Sequence, residues 1–410
     1  MIGPANLTRV AKQVGTVGVL YGGSIVALLI GELLLARGTS QADFGTYSLV
    51  RSAIPLISAL GLLGFDQALT RECAAASLPV RFDKRQVLLS GRSCILALGV
   101  GAYLCGSMGV PWQAGLGLVL AATCVTVSNL VSGVMRATGH PNLAALGQQG
   151  YRLATGCTFI ALWGNVPGNS SVWVLFVATC MVSIVCISWS LRLSVTWNMT
   201  PPTQRVLTRL GYGYALAMLS LAATDWIDQA IVGEIGGLRE VGRYSQAKLI
   251  AVYPLLSLGS ILGFLALPAI ASQREFLTLA KLRSWGQWAS FAVAALLLVA
   301  IPITLFSSSA LLHDPLAHGP IVILTCAGAV RLLYVLPSAV LGAVAGPRTL
   351  ATFGSIALAG TFLQVGTTIV LSDLGISLAA ALGLLAAALL RVISSALLCW
   401  STVRIAANGN

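Results

Sequence analysis

The chain is 410 residues long, 57% hydrophobic and only 9% charged, with a formal net charge of +12. A soluble globular domain carries about 25% charged residues to keep its surface wet, so this composition excludes a chain that folds mainly in water. Nor does the positive excess point to nucleic acid, because the basic residues sort by loop instead of gathering on one face.

In chain order, apolar runs of membrane-spanning length predict spans near 14–36, 46–68, 87–109, 114–134, 143–163, 172–191, 211–235, 245–270, 288–306, 320–344, 350–371 and 376–400. Unpaired backbone amides cannot face lipid, so these runs are expected to be helices. The expected fold is an all-α polytopic membrane protein of about twelve transmembrane helices. The first run follows Arg9 and Lys12; it is too long for a signal-peptide core and has no convincing cleavage site, so it reads as a retained span. With the N-terminus inside, sixteen basic residues fall in or beside inner loops, against Arg37, Arg239 and Arg243 outside. That bias predicts cytoplasmic termini at both ends. The nine cysteines read as small core residues with no disulfide role.

At the start of span two, Asp43-Phe44-Gly45-Thr46-Tyr47-Ser48-Leu49-Val50-Arg51 recurs as Glu240-Val241-Gly242-Arg243-Tyr244-Ser245-Gln246-Ala247-Lys248 at the start of span eight. Acid, apolar residue, Gly, Tyr, Ser and final cation keep register. Both copies sit at the same point of a six-helix half with the same orientation, which predicts duplication. The expected halves are 1–195 and 205–410, joined by a linker at 196–204. Six plus six helices in parallel orientation is a transporter-like plan, with its site between the halves near the midplane. Pro55, Pro254, Pro302 and Pro337 lie within spans, where they favour bends.

Five cations fall inside spans: Arg51, Arg152, Lys248, Arg331 and Arg391. A charge at the bilayer centre costs about 2.5 to 3.5 kcal/mol, so each needs a partner or a wet cavity. Glu32 and Arg51 reach equal depth across the first helical hairpin and are expected to pair; Lys248 should pair with Glu234 or Asp228. Arg152, Arg331 and Arg391 lie deeper, with only Asp225 and Asp228 at similar depth. By count at least one deep arginine lacks an acid, and the simplest visitor is an anionic substrate. Gln148 shares a helix face with Arg152, and Tyr334 with Arg331. Arginine suits phosphate because its planar fork donates two parallel hydrogen bonds. Asp225, Asp228 and Glu32 are the acids open to H+ or Na+ coupling. No metal site is expected; His313, Asp314 and His318 read as a Pro-broken turn. No phosphate-cradling loop is found, so direct ATP drive has no support.

Several short motifs resemble oligosaccharide flippases, the Wzx-type O-antigen and exopolysaccharide translocases of the multidrug/oligosaccharidyl-lipid/polysaccharide (MOP) superfamily. These are Asp43-Phe44-Gly45-Thr46-Tyr47-Ser48, Gly64-Phe65-Asp66-Gln67-Ala68-Leu69-Thr70-Arg71 and Gly139-His140-Pro141. In the second half they are Gly242-Arg243-Tyr244-Ser245, Leu267-Pro268 and Gly346-Pro347-Arg348. The resemblance implies a bacterial inner-membrane flippase with two pseudo-symmetric six-helix lobes around a cationic cavity. It would carry an undecaprenyl-pyrophosphate-linked oligosaccharide to the outer leaflet by alternating access, without a cofactor. Its partners would be the lipid-linked oligosaccharide, membrane lipids and other polysaccharide assembly proteins. A multidrug antiporter of the same superfamily is the rival reading, but its cavity should be acid-dominated. A membrane glycosyltransferase or polymerase would need catalytic groups on a sizeable loop, and the outer loops are short.

Overall fold

The computed structural model describes residues 4–68, 84–137, 140–167, 170–192, 201–272, 278–312 and 316–408. Its helices are α1 (Pro4–Gly38), α2 (Gln41–Leu62), α3 (Lys84–Ser107), α4 (Trp112–Ala137), α5 (Pro141–Ala161), α6 (Ser170–Arg192), α7 (Pro201–Ala251), α8 (Tyr253–Ser272), α9 (Leu279–Leu311), α10 (His318–Val344), α11 (Pro347–Val370) and α12 (Ile376–Asn408). No strand occurs among the described residues. Each expected span falls on a helix. Eight stretches, in α1, α4, α6, α7, α9, α10, α11 and α12, are long and apolar enough on their own to cross a membrane.

Local chemistry sets the boundaries. Ser40 caps α2: its hydroxyl accepts from the Asp43 amide at 3.1 Å and donates to the Asp43 carboxylate at 2.7 Å. This satisfies a first-turn amide and places an acid at the positive end of the helix dipole. Pro141 and Pro347 open α5 and α11, where the missing amide hydrogen costs nothing. Thus His140-Pro141 and Gly346-Pro347 are helix starts at matching places in the two halves.

Two boundaries differ from expectation. The chain is already helical at Pro201, so the second half begins before the expected end of the linker; residues 193–200 lie outside those described. Helix α7 runs through a reversal at Gly237, whose φ of 76° and ψ of 174° belong to a region open essentially to glycine alone. The descending leg, 238–251, therefore starts seven residues before the span expected at 245. It breaks at Val252 before α8, where Pro254 has no amide to bond back to Ile250. Pro55, Pro302 and Pro337 sit inside unbroken helices. His313 and Asp314, and the run from Leu69 to Arg71, lie outside the described residues. The eight described cysteines are all free, but only Cys186 and Cys399 are buried and Cys157 is exposed. The expectation of a core role is thus corrected for Cys157, since a small apolar thiol is equally compatible with a lipid-facing surface.

Helix neighbours repeat between the halves. In the first, α1 packs on α5, α2 on α4, α3 on α4, and α6 on α4 and α5. In the second, α7 packs on α11, α8 on α10, α9 on α10, and α12 on α10 and α11. The main seam between the halves is α2 against α7. Gly45 meets the Leu238 carbonyl there, and Gly242 meets that of Gln41, each so closely that a Cβ would collide with the opposing backbone.

Candidate functional site

The repeated motif builds the same three-residue arrangement twice. In the first half, α2 supplies Tyr47 and Arg51 on one face, four residues apart. The Arg51 guanidinium lies 3.0 Å from Glu32 of α1, and the Tyr47 hydroxyl donates to the same carboxylate at 2.8 Å. In the second half, Lys248 reaches Asp228 at 2.8 and 3.1 Å, and Tyr244 donates to Asp228 at 3.0 Å. The partner of Lys248 is therefore Asp228; Glu234 instead accepts from the Tyr103 hydroxyl at 2.6 Å. The copies differ in access. Lys248 and Asp228 have no exposed side-chain surface, whereas the Arg51 side chain is 19% exposed and lies 4.5 Å from the centre of the Tyr253 ring.

Between the halves lie two adjoining compartments, of about 160 and 490 Å³, that share Pro55, Arg152, Asp225, Leu256 and Ser260. Glu32 and Arg51 face the smaller, while Asp66, Arg136 and Arg331 face the larger. The lining draws on the end of α4, the first turns of α5 and the early part of α7, so the space runs from mid-bundle toward the end at which α1 begins. The opposite end is tied across the halves. Arg37 donates to the Leu311 and Ala310 carbonyls at the end of α9, at 2.9 and 3.2 Å. Arg239 donates to Gln41 at 3.1 Å, and Gln246 to the Ala36 carbonyl at 3.2 Å.

The five deep cations separate into distinct roles. Arg331 holds Asp225 with both terminal nitrogens, at 2.5 and 3.3 Å; its acid comes from α7, another helix of the same half. Arg152 stands at the junction of the compartments, its Nε donating to the Tyr151 hydroxyl at 3.2 Å. No carboxylate among the described residues pairs with Arg152. Arg391 does not face the cavity, which corrects its assignment to the cargo. It is 2% exposed and packed between α7, α11 and α12. It donates to the Ser220 carbonyl and Thr361 hydroxyl at 2.8 Å, to the Ala357 carbonyl at 3.2 Å and to the Thr224 hydroxyl. Carbonyl and hydroxyl oxygens take the place of an acid. Lys248 and Asp228 are likewise sealed away from the cavity, which corrects their placement beside cargo or coupling ion.

Several lining residues were not singled out from sequence. Arg136 counts as an inner-loop charge there, yet it ends α4 turned inward, donating to Gln148 at 2.9 Å. Tyr21 of α1 donates to the same Gln148 oxygen at 2.6 Å. Gln149, Asn129 and Asp66 join them. The Gly64-Phe65-Asp66-Gln67 motif carries the one signal that marked this region: Leu63 and Gly64 turn left-handed after α2, and Asp66 follows directly into the cavity.

The fold has solved counterparts. A Vibrio cholerae MATE transporter, VcmN in its bent form, aligns over 97% of this chain and 98% of its own with a TM-score of 0.63 and 12% identity. An outward-facing multidrug resistance MATE family transporter of the MOP superfamily aligns over 97% and 96%, with a TM-score of 0.61 and 15% identity. A MOP superfamily transporter from Pyrococcus furiosus, described as having a binding pocket of reversed polarity, aligns over 97% and 96%, with a TM-score of 0.60 and 14% identity. At such identities the likeness establishes the fold alone. No curated protein matches the sequence. The family model for polysaccharide biosynthesis proteins matches residues 11–273, more than half of the chain, and the chain belongs to that family.

Proposed function

We propose that this family member is a flippase that carries an undecaprenyl-pyrophosphate-linked oligosaccharide from the cytoplasmic to the outer leaflet of the bacterial inner membrane. Its helices cross the bilayer twelve times as lobes 1–195 and 205–410 with both termini cytoplasmic, and the cavity faces the cytoplasm in the conformation described. The observation that carries this reading is Arg152, a guanidinium at the junction of the cavity compartments with no carboxylate partner among the described residues, flanked by Arg51 and Arg331. A fixed positive charge at mid-membrane depth is expensive, and a pyrophosphate offsets that cost while accepting the paired hydrogen bonds of a guanidinium. Release follows when the ties at the far end part and the cavity reopens there. Coupling to H+ or Na+ would fall to Glu32 or Asp225, which face the cavity. Other polysaccharide assembly proteins would supply and remove the cargo.

The multidrug reading draws on the MATE fold. A cationic drug needs an uncompensated carboxylate, however; Glu32 and Asp225 are each held by a guanidinium, and Asp66 accepts from the Gln67 amide at 2.9 Å. In proteoliposomes loaded with lipid-linked oligosaccharide, Arg152→Ala should lower flipping by about tenfold or more, the loss of one charge-assisted contact, with normal insertion. Unchanged flipping in Arg152→Ala, Arg51→Ala and Arg331→Ala alike overturns the proposal.

A further inference from the structure

The cavity lining is chemically divided. Arg51 lines the smaller compartment, Arg152 the junction and Arg331 and Arg136 the larger, where Asn129, Gln148 and Gln149 stand together on the wall built by α4 and α5. A carboxamide carries two donor hydrogens and a carbonyl acceptor without net charge, and burying these groups unused is costly.

The three amides are partly tied and partly open. Gln148 uses its carbonyl oxygen twice, accepting from Tyr21 and Arg136, and its amide nitrogen has no protein partner among the described residues. Asn129 donates to the Ser58 hydroxyl at 3.0 Å, and its own carbonyl oxygen accepts no hydrogen bond among the described residues. Gln149 is only 7% exposed, and its carbonyl oxygen has no hydrogen-bond partner. The wall thus presents a donor on Gln148 and an acceptor on Asn129, beside the buried, unpartnered carbonyl oxygen of Gln149. A phosphate, which only accepts, gains nothing from two carbonyl oxygens. A sugar hydroxyl donates and accepts through one atom and suits both kinds of group.

We propose that Asn129, Gln148 and Gln149 form a hydroxyl-binding subsite for the carbohydrate part of the cargo, separate from the guanidinium groups that take its anionic part. This rests on the flippase reading. The subsite belongs to the first half, and Gln148 joins it to the charged region through Arg136. A sugar entering there completes hydrogen bonds that the protein leaves open, so cargo without sugar binds less tightly.

The test uses purified protein in nanodiscs with two probes, read by native mass spectrometry. One is the lipid-linked oligosaccharide fraction extracted from the native host; the other is undecaprenyl pyrophosphate bearing no sugar. Gln149→Leu should weaken binding of the glycosylated probe about tenfold, the loss of a buried hydrogen bond, and of the bare probe by less than about twofold. Gln148→Met, which keeps the side-chain length, supplies the same comparison should the leucine variant not fold. Equal weakening for both probes, or none for either, overturns the subsite. Wild-type protein that binds both probes equally overturns it as well while leaving the flippase reading standing. Wild-type protein that binds neither overturns both.

Discussion

The two halves contain one arrangement, a tyrosine and a carboxylate around a cation, in two surroundings. Around Asp228 the cation is a lysine without exposed surface, and its ammonium group engages both carboxylate oxygens. Around Glu32 it is an arginine, 19% exposed, one edge on the carboxylate and its guanidinium beside Tyr253 at the cavity. An ammonium is a compact point charge, whereas a guanidinium distributes five donors over a plane. The sealed copy consumes its charge in holding α7 to its returning leg. The open copy leaves part of its guanidinium at the cavity. One motif thus recurs once without exposed surface and once open to the cavity, and the difference lies in the cation and its access rather than in the motif.

This comparison can be broken most forcefully at the sealed copy. Lys248→Met leaves a buried carboxylate uncompensated and should destabilise the protein by roughly 3–5 kcal/mol, read as a lower melting temperature in detergent. Combining it with Asp228→Leu should restore most of that loss. A mild effect of the single variant would make the two copies equivalent. At the open copy, Arg51→Lys keeps the charge and the Glu32 pair but removes the fork, and should lower flipping by about tenfold with little change in melting temperature. An equal loss of stability and flipping would assign Arg51 to structure. The smallest effect is expected from Tyr47→Phe and Tyr244→Phe, each removing one hydrogen bond for about 1 kcal/mol. Both should appear in melting temperature, and only Tyr47→Phe should also change flipping, because its carboxylate positions a cavity-lining cation.

Much of this was legible in the sequence, for identifiable reasons. Hydropathy reports burial in lipid, so the long apolar helices announced themselves, while α2 and α5, which carry Arg51 and Arg152, are not among the eight stretches apolar enough on their own. The Glu32–Arg51 pair followed from equal depth in a hairpin. The same logic left Asp228 and Glu234 open for Lys248, because it placed the start of span eight too late. With the reversal at Gly237, Asp228 and Lys248 lie at similar distances from the turn, and Glu234 is too shallow. Depth left Asp225 open as the partner of a deep arginine, and Arg331, on a helix of another stretch of chain, takes it. A count of acids missed that Arg391 directs its Nε and one terminal nitrogen at carbonyls and threonines, which no tally of acids includes. Arg136 was hidden by its position: a basic residue at a helix end reads as a topology signal until its side chain is seen facing inward.

Helix α9 has the least buried apolar stretch of the eight, with only 11% of it covered by protein, yet its far end is held by Arg37 from the other half. Its 33 residues extend about 50 Å at 1.5 Å per residue, well beyond a hydrocarbon core of about 30 Å. A helix longer than the membrane is thick leans to fit, and leans less in a thicker membrane. Because one end is fastened across the seam, any change in lean pulls on the contact between the halves. The lipid chain length of the surrounding membrane thereby becomes a mechanical input to the strain on that contact.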